Sequence, residues 1–143
     1  MKVFKLATFI VLFTSLFAGC NNDDIEGFIG TRDYLIGTWS QTHAKGHLVD
    51  DGIRINYDTR FDEGVLTMTF YENGTGRVRI SHPNLIMRGL GTFTWTFESG
   101  IITIVGDYDT IHGRVRRLTS SSLVLDADLQ QREQHERMTL IKR

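Results

Sequence analysis

The chain of 143 residues contains one cysteine and one proline. A lone cysteine excludes a disulfide framework. Acidic and basic residues nearly balance, 17 against 16, so the concentrated basic surface that nucleic acid requires is lacking. Signatures of catalysis are also missing. There is no Gly-x-Ser-x-Gly elbow, and the serines at 120–122 have no histidine near them in sequence. No glycine loop suited to phosphate is present. Asp107 and Asp109 flank Tyr108 without the spacing of an EF-hand loop. The five histidines are scattered, whereas zinc ligands cluster. These absences predict no enzyme, no metal and no cofactor.

The amino end carries an address. Lys2 and Lys5 precede residues 6–17, which have no charge. That run falls short of the roughly twenty residues a membrane-crossing helix needs, and it suits the apolar region of a signal peptide. It ends in Leu16-Phe17-Ala18-Gly19-Cys20, which resembles a bacterial lipobox, with Phe17 in place of the more usual aliphatic residue. The resemblance implies cleavage before Cys20, lipidation of Cys20, and attachment to the membrane through that anchor. Several acyl chains at about 0.8 kcal/mol per buried CH₂ hold such a protein permanently. Residues 1–19 are then the signal peptide and 20–30 the lipidated cysteine with a flexible, acidic tether. Residues 31–143 form one domain, of a size that supports one core. Cleavage removes two lysines, which leaves the mature chain acidic by three charges. The stretch Cys20-Asn21-Asn22-Asp23-Asp24 is similar to the acidic export signals of Bacteroidetes surface lipoproteins. An outer-membrane location is expected, with surface and periplasmic faces both open.

From residue 37 onward the chain reads as short strands. Candidate runs are 38–43, 53–61, 65–71, 76–82, 92–98, 101–105, 111–118, 123–127 and 136–141, split by turn residues such as Asp51-Gly52, Asn73-Gly74 and Ser99-Gly100. One short helix is expected at 31–36, with Thr31 as its N-cap. The charged stretch 126–136 is expected to be a loop. Pro83 lies in the longest internal connection, whose residues Leu85, Ile86, Met87 and Leu90 suggest a bent strand, a flap over a barrel mouth, or a protein-contact patch. Evenly spaced strands with tight turns predict an all-β, antiparallel, up-and-down barrel of eight or nine strands, because closure removes exposed edges.

Alternation assigns the faces. Leu66, Met68 and Phe70 oppose Thr67, Thr69 and Tyr71, while Phe93, Trp95 and Phe97 oppose Thr92, Thr94 and Thr96. Arg77, Arg79, Arg114 and Arg116 are expected to face water, since burial without partners costs several kcal/mol each. The alternative is a lumen lined by arginines for an anion. The expected inward set is Leu66, Met68, Phe70, Phe93, Trp95, Phe97, Val115, Leu123 and Leu125. These residues either fill the barrel or line a cavity for one small ligand.

Several elements in order resemble the lipocalin-like domains of small Bacteroidetes lipoproteins. They are Gly37-Thr38-Trp39, the hairpin at 70–76, Trp95, Leu123-Val124-Leu125 and the closing residues 138–143. The resemblance covers residues 31–143 and implies a calycin-like barrel with Trp39 as a structural plug at its closed end, packed on a basic side chain, Arg143 or Arg137. It implies binding, with no named ligand. The function expected is a lipid-anchored, non-enzymatic protein that binds a small apolar or amphipathic ligand. The alternative is a filled barrel whose loops contact a protein or glycan partner.

Overall fold

Runs of alternating side chains pair with their sequence neighbours throughout this chain, and the pairing closes on itself. The computed structural model describes residues 29–81, 91–107, 109–130 and 133–143. The signal peptide, Cys20, most of the tether and the apolar connection around Pro83 lie outside the described residues. Among the described residues nine strands occur in order: β1 (Gly37–Asp50), β2 (Ile53–Arg60), β3 (Leu66–Phe70), β4 (Thr75–Ile80), β5 (Thr92–Glu98), β6 (Ile101–Gly106), β7 (Thr110–Leu118), β8 (Ser122–Leu129) and β9 (Gln134–Lys142). Every pairing between these strands is antiparallel, and β9 returns to β1. The result is a closed ring of eight strands, β1 and β3 to β9, with β2 as a ninth strand outside it.

β1 is long enough to serve two neighbours along one edge. Its first residues pair with β3, from Gly37↔Phe70 to Ser40↔Thr67. Its later residues pair with β2, from His43↔Arg60 to Asp50↔Ile53. Its other edge holds β9 across a register shift between Gln41 and His43. β2 and β3 thus act as one interrupted strand beside β1, broken at residues 61–65. The β1–β2 turn is tight because Asp51 and Gly52 both adopt positive φ, 48° and 76°, the geometry that matches the twist of a two-residue hairpin.

The barrel is filled at one end. Phe70 packs edge-on against Phe93 and Trp95, each at 5.4 Å between ring centroids, a favoured aromatic arrangement. Leu35, Trp39, Ile102, Leu118, Leu123 and Leu140 are fully buried around them. A 3-10 turn, Arg32–Leu35, covers this end. It stands where a short helix was expected, and there is no α-helix among the described residues. Thr31 sits at its N-cap without making a side-chain capping bond.

Trp39 donates from Nε1 to the Leu35 carbonyl at 2.8 Å. The base on its ring is Lys142, with Nζ 5.2 Å from the ring centroid, not Arg143 or Arg137. The register explains this, since Lys142 is the cross-strand partner of Trp39. Arg143 instead reaches Glu63 at 3.9 Å, and Arg137 holds Asp126. Arg32 lies over Trp95, 4.3 Å from its centroid, and donates to the Glu72 carbonyl.

Residues 126–129 and 134–136, expected in a loop, are strand. β8 runs on to Leu129 and β9 begins at Gln134. Leu125 and Ala127 point inward and are buried, while Asp126 and Asp128 point outward to Arg137 and His135. Two of the charges that suggested a loop, Asp126 and Asp128, are thus in cross-strand pairs on a half-buried hairpin. Arg77, Arg79 and Arg114 are exposed, and Arg116 pairs with Asp126. The interior carries none of these four arginines.

Candidate functional site

Toward the other end the ring keeps a cavity, and three residue rows crossing β2, β1 and β9 contribute Thr59, Ala44, Met138, Tyr57, Glu136 and Gln134 to one wall of it. In each row the three residues are cross-strand neighbours. The rows are Thr59, Ala44 and Met138; Tyr57, Gly46 and Glu136; and Ile55, Leu48 and Gln134. The middle row is decisive, because Gly46 has no side chain and lets the Tyr57 ring cross over β1. The Tyr57 hydroxyl donates to Glu136 Oε2. Any side chain at Gly46 would collide with β9, since an added Cβ would stand 2.0 Å from the His135 carbonyl oxygen.

Around Glu136 the amides complete a cluster. Gln134 Nε2 donates to the Tyr57 hydroxyl at 2.8 Å and to Glu136 Oε2 at 3.3 Å. Gln41 Nε2 donates to Glu136 Oε1 at 3.3 Å, and Gln41 itself is 2% exposed. Burial pushes the ionisation of the Tyr57 hydroxyl well above its ordinary range, and its hydrogen bond to Glu136 adds to this. Tyr57 is therefore a fixed donor at any physiological pH.

Facing this cluster is an apolar wall. Leu66 and Met68 of β3, Val78 of β4, Ile111 of β7 and Leu129 of β8 line it, joined by Phe61, Ala44 and Met138. The cavity volume is about 190 Å³. A cavity of roughly 150 Å³ takes up benzene, and drug-sized sites run from about 300 Å³ upward. The space fits a single ring or a short chain. Its chemistry is amphipathic: apolar on most sides, with one carboxylate, one phenol and two amides on the remaining side.

Of the nine inward residues expected from sequence, the structure brings Leu66 and Met68 to this cavity. Phe70, Phe93, Trp95, Val115, Leu123 and Leu125 belong to the buried core, with Phe97 packed against it. Sequence reasoning missed Gln41, Tyr57, Gln134 and Glu136. The signal was available in β9, where Gln134, Glu136, Met138 and Leu140 alternate with His135, Arg137, Thr139 and Ile141. Two polar residues at the head of that inward series mark where the apolar lining ends.

His43, His47 and His135 stay on the outside. His43 contacts Asp58 at 2.6 Å, His135 pairs with Asp128, and His47 lies beside His135 with ring centroids 6.0 Å apart. Among the described residues no three His, Cys, Asp or Glu side chains converge as a metal site would require.

Fold and site together define a class: a closed antiparallel β-barrel with a small amphipathic cavity and a filled opposite end. No family model, curated protein or solved structure matches this chain. Its function is therefore argued from its own residues.

Proposed function

We propose that this chain is an envelope lipoprotein that binds a small amphipathic molecule without transforming it. The cavity carries the reading: about 190 Å³, walled by Leu66, Met68, Val78 and Ile111, with the Glu136 cluster on one side. Small-molecule sites share this composition, a mostly apolar pocket with a few placed polar groups that fix orientation. The lipobox-like residues ending in Cys20 support a membrane anchor as the protein's other partner. The residue pattern from Gly37-Thr38-Trp39 to the closing strand supports a likeness to lipocalin-like lipoproteins of the outer membrane. Glu136 favours binding over catalysis, since Tyr57, Gln134 and Gln41 all donate to it and hold it as a fixed acceptor.

Native mass spectrometry of the full chain, recovered from a lipoprotein-processing bacterial host, reads both parts at once. Wild type is expected to show lipid mass and a small additional mass released on denaturation. The Cys20→Ala chain is expected to keep the releasable mass and lose the lipid. Lipid mass retained on Cys20→Ala would remove the anchor. A bare polypeptide in both, unchanged by incubation with small amphipathic molecules, would remove the binding reading.

A further inference from the structure

We infer that the cavity selects a small primary amine, an ammonium group on a single ring or short chain, with Glu136 as its counter-charge. This rests on the binding reading above and names the ligand class for that site. The polar cluster presents acceptors to the cavity. Each of the three neighbouring donor groups directs a hydrogen at Glu136: the Tyr57 hydroxyl and the Gln134 and Gln41 amides. Glu136 Oε1 accepts one of these bonds and keeps a second lone pair. Among the described residues none donates to the amide oxygen of Gln41, although the residue is 2% exposed. No buried side-chain oxygen or nitrogen among the described residues is sealed off without a partner, so this oxygen borders open space beside Glu136.

Charge points the same way. Among the described residues no lysine or arginine pairs with Glu136. The basic residues next to it in sequence and register, His135, Arg137 and Lys45, alternate with it and lie on the outer face. There Asp128, Asp126 and Asp58 respectively engage them. The three groups that donate to the half-buried Glu136 carboxylate are neutral, so it has hydrogen bonds but no counter-charge. An ammonium supplies that counter-charge, with three donors for Glu136 Oε1 and the Gln41 oxygen. A neutral alcohol supplies one donor and no charge. A carboxylate ligand adds like-charge repulsion. The apolar body is bounded by the volume, about 190 Å³.

Isothermal titration of the full chain with benzylamine, benzyl alcohol and benzoate at neutral pH separates these cases. Hydrogen bonds to charged groups predict benzylamine binding at least about tenfold more tightly than benzyl alcohol, with benzoate weakest. Glu136→Gln is expected to bring benzylamine to within about twofold of benzyl alcohol. Tyr57→Phe, which keeps the carboxylate, is expected to retain the amine preference. Equal binding of benzylamine and benzyl alcohol by wild type would overturn the amine inference and leave the binding reading standing. A tenfold amine preference that survives Glu136→Gln would overturn it too. No binding by any probe would overturn both.

Discussion

Asp126 shows how much a single outward side chain does in a barrel wall. Its Oδ1 accepts from Arg137 Nε at 2.7 Å and its Oδ2 from Arg116 Nε at 2.7 Å, with Arg137 Nη2 at 3.1 Å from Oδ2. Asp126 thereby joins β9 to the far side of β7 across β8. The Arg137 hydrogen bonds lead in lowering its carboxyl pKa from 3.8 to about 2, Arg116 adds to them, and partial burial opposes both. A carboxyl that is more acidic folded than unfolded stabilises the fold above the unfolded value. That contribution is lost as pH falls through the folded one. The window is therefore from about pH 4 down to about pH 2. Because Arg137 is half-exposed, screening limits the effect to about 1 kcal/mol. Asp126→Asn should lower the urea midpoint at pH 7 by an amount that vanishes near pH 2. A difference of equal size at both pH values would mean that something other than these ion pairs stabilises the hairpin.

Between the strands, the seam from β1 to β9 depends on Gly46. The strand candidates read from sequence all exist, and most have their bounds within a residue or two, because one-sided burial imposes period-2 alternation. β1 was legible only from 38 to 43, about half its length. Beyond that point the register shift at Gln41/His43 moves the inward positions, and Gly46 shows no side chain with which to keep the alternation. The same glycine that hid the strand lets β9 lie close and lets Tyr57 reach Glu136. Gly46→Ala would set a Cβ 2.0 Å from the His135 oxygen and 2.8 Å from Glu136 Cα. Both are backbone atoms, which no rotamer change can relieve. Overpacking of this kind costs about 1–3 kcal/mol, measurable as a lowered midpoint in urea. Unchanged stability would show that the seam has room the register does not suggest. Tyr57 should also become easier to ionise as it is pushed from Glu136, a shift readable by ultraviolet titration.

At the scale of the whole molecule, core and cavity compete for one interior. Aromatic residues gather where Phe70, Phe93 and Trp95 meet, and that half is filled. Smaller or flexible side chains, Ala44, Val78 and Met138, stand where the space remains. Sequence made the barrel legible because each strand reports its own inward face. It hid the cavity because that depends on which strands meet across the ring, and one of its walls is β2, which lies outside the ring. Tyr57 gave no local sign of its role, since its partners Gln134 and Glu136 are 77 and 79 residues away. Ala44 tests the balance directly, being 3% exposed and on the cavity wall. Ala44→Val adds two methyl groups into open volume and suits strand geometry. Stability should hold or rise by up to about 1 kcal/mol, while benzylamine affinity falls at least about tenfold as the space closes. Urea denaturation and titration on the same variant read both quantities. A stability loss beyond about 1 kcal/mol would show that Ala44 faces packed atoms, and the cavity would not exist as described. Gain of stability with loss of binding is the pattern expected of an interior left incompletely filled to hold a ligand.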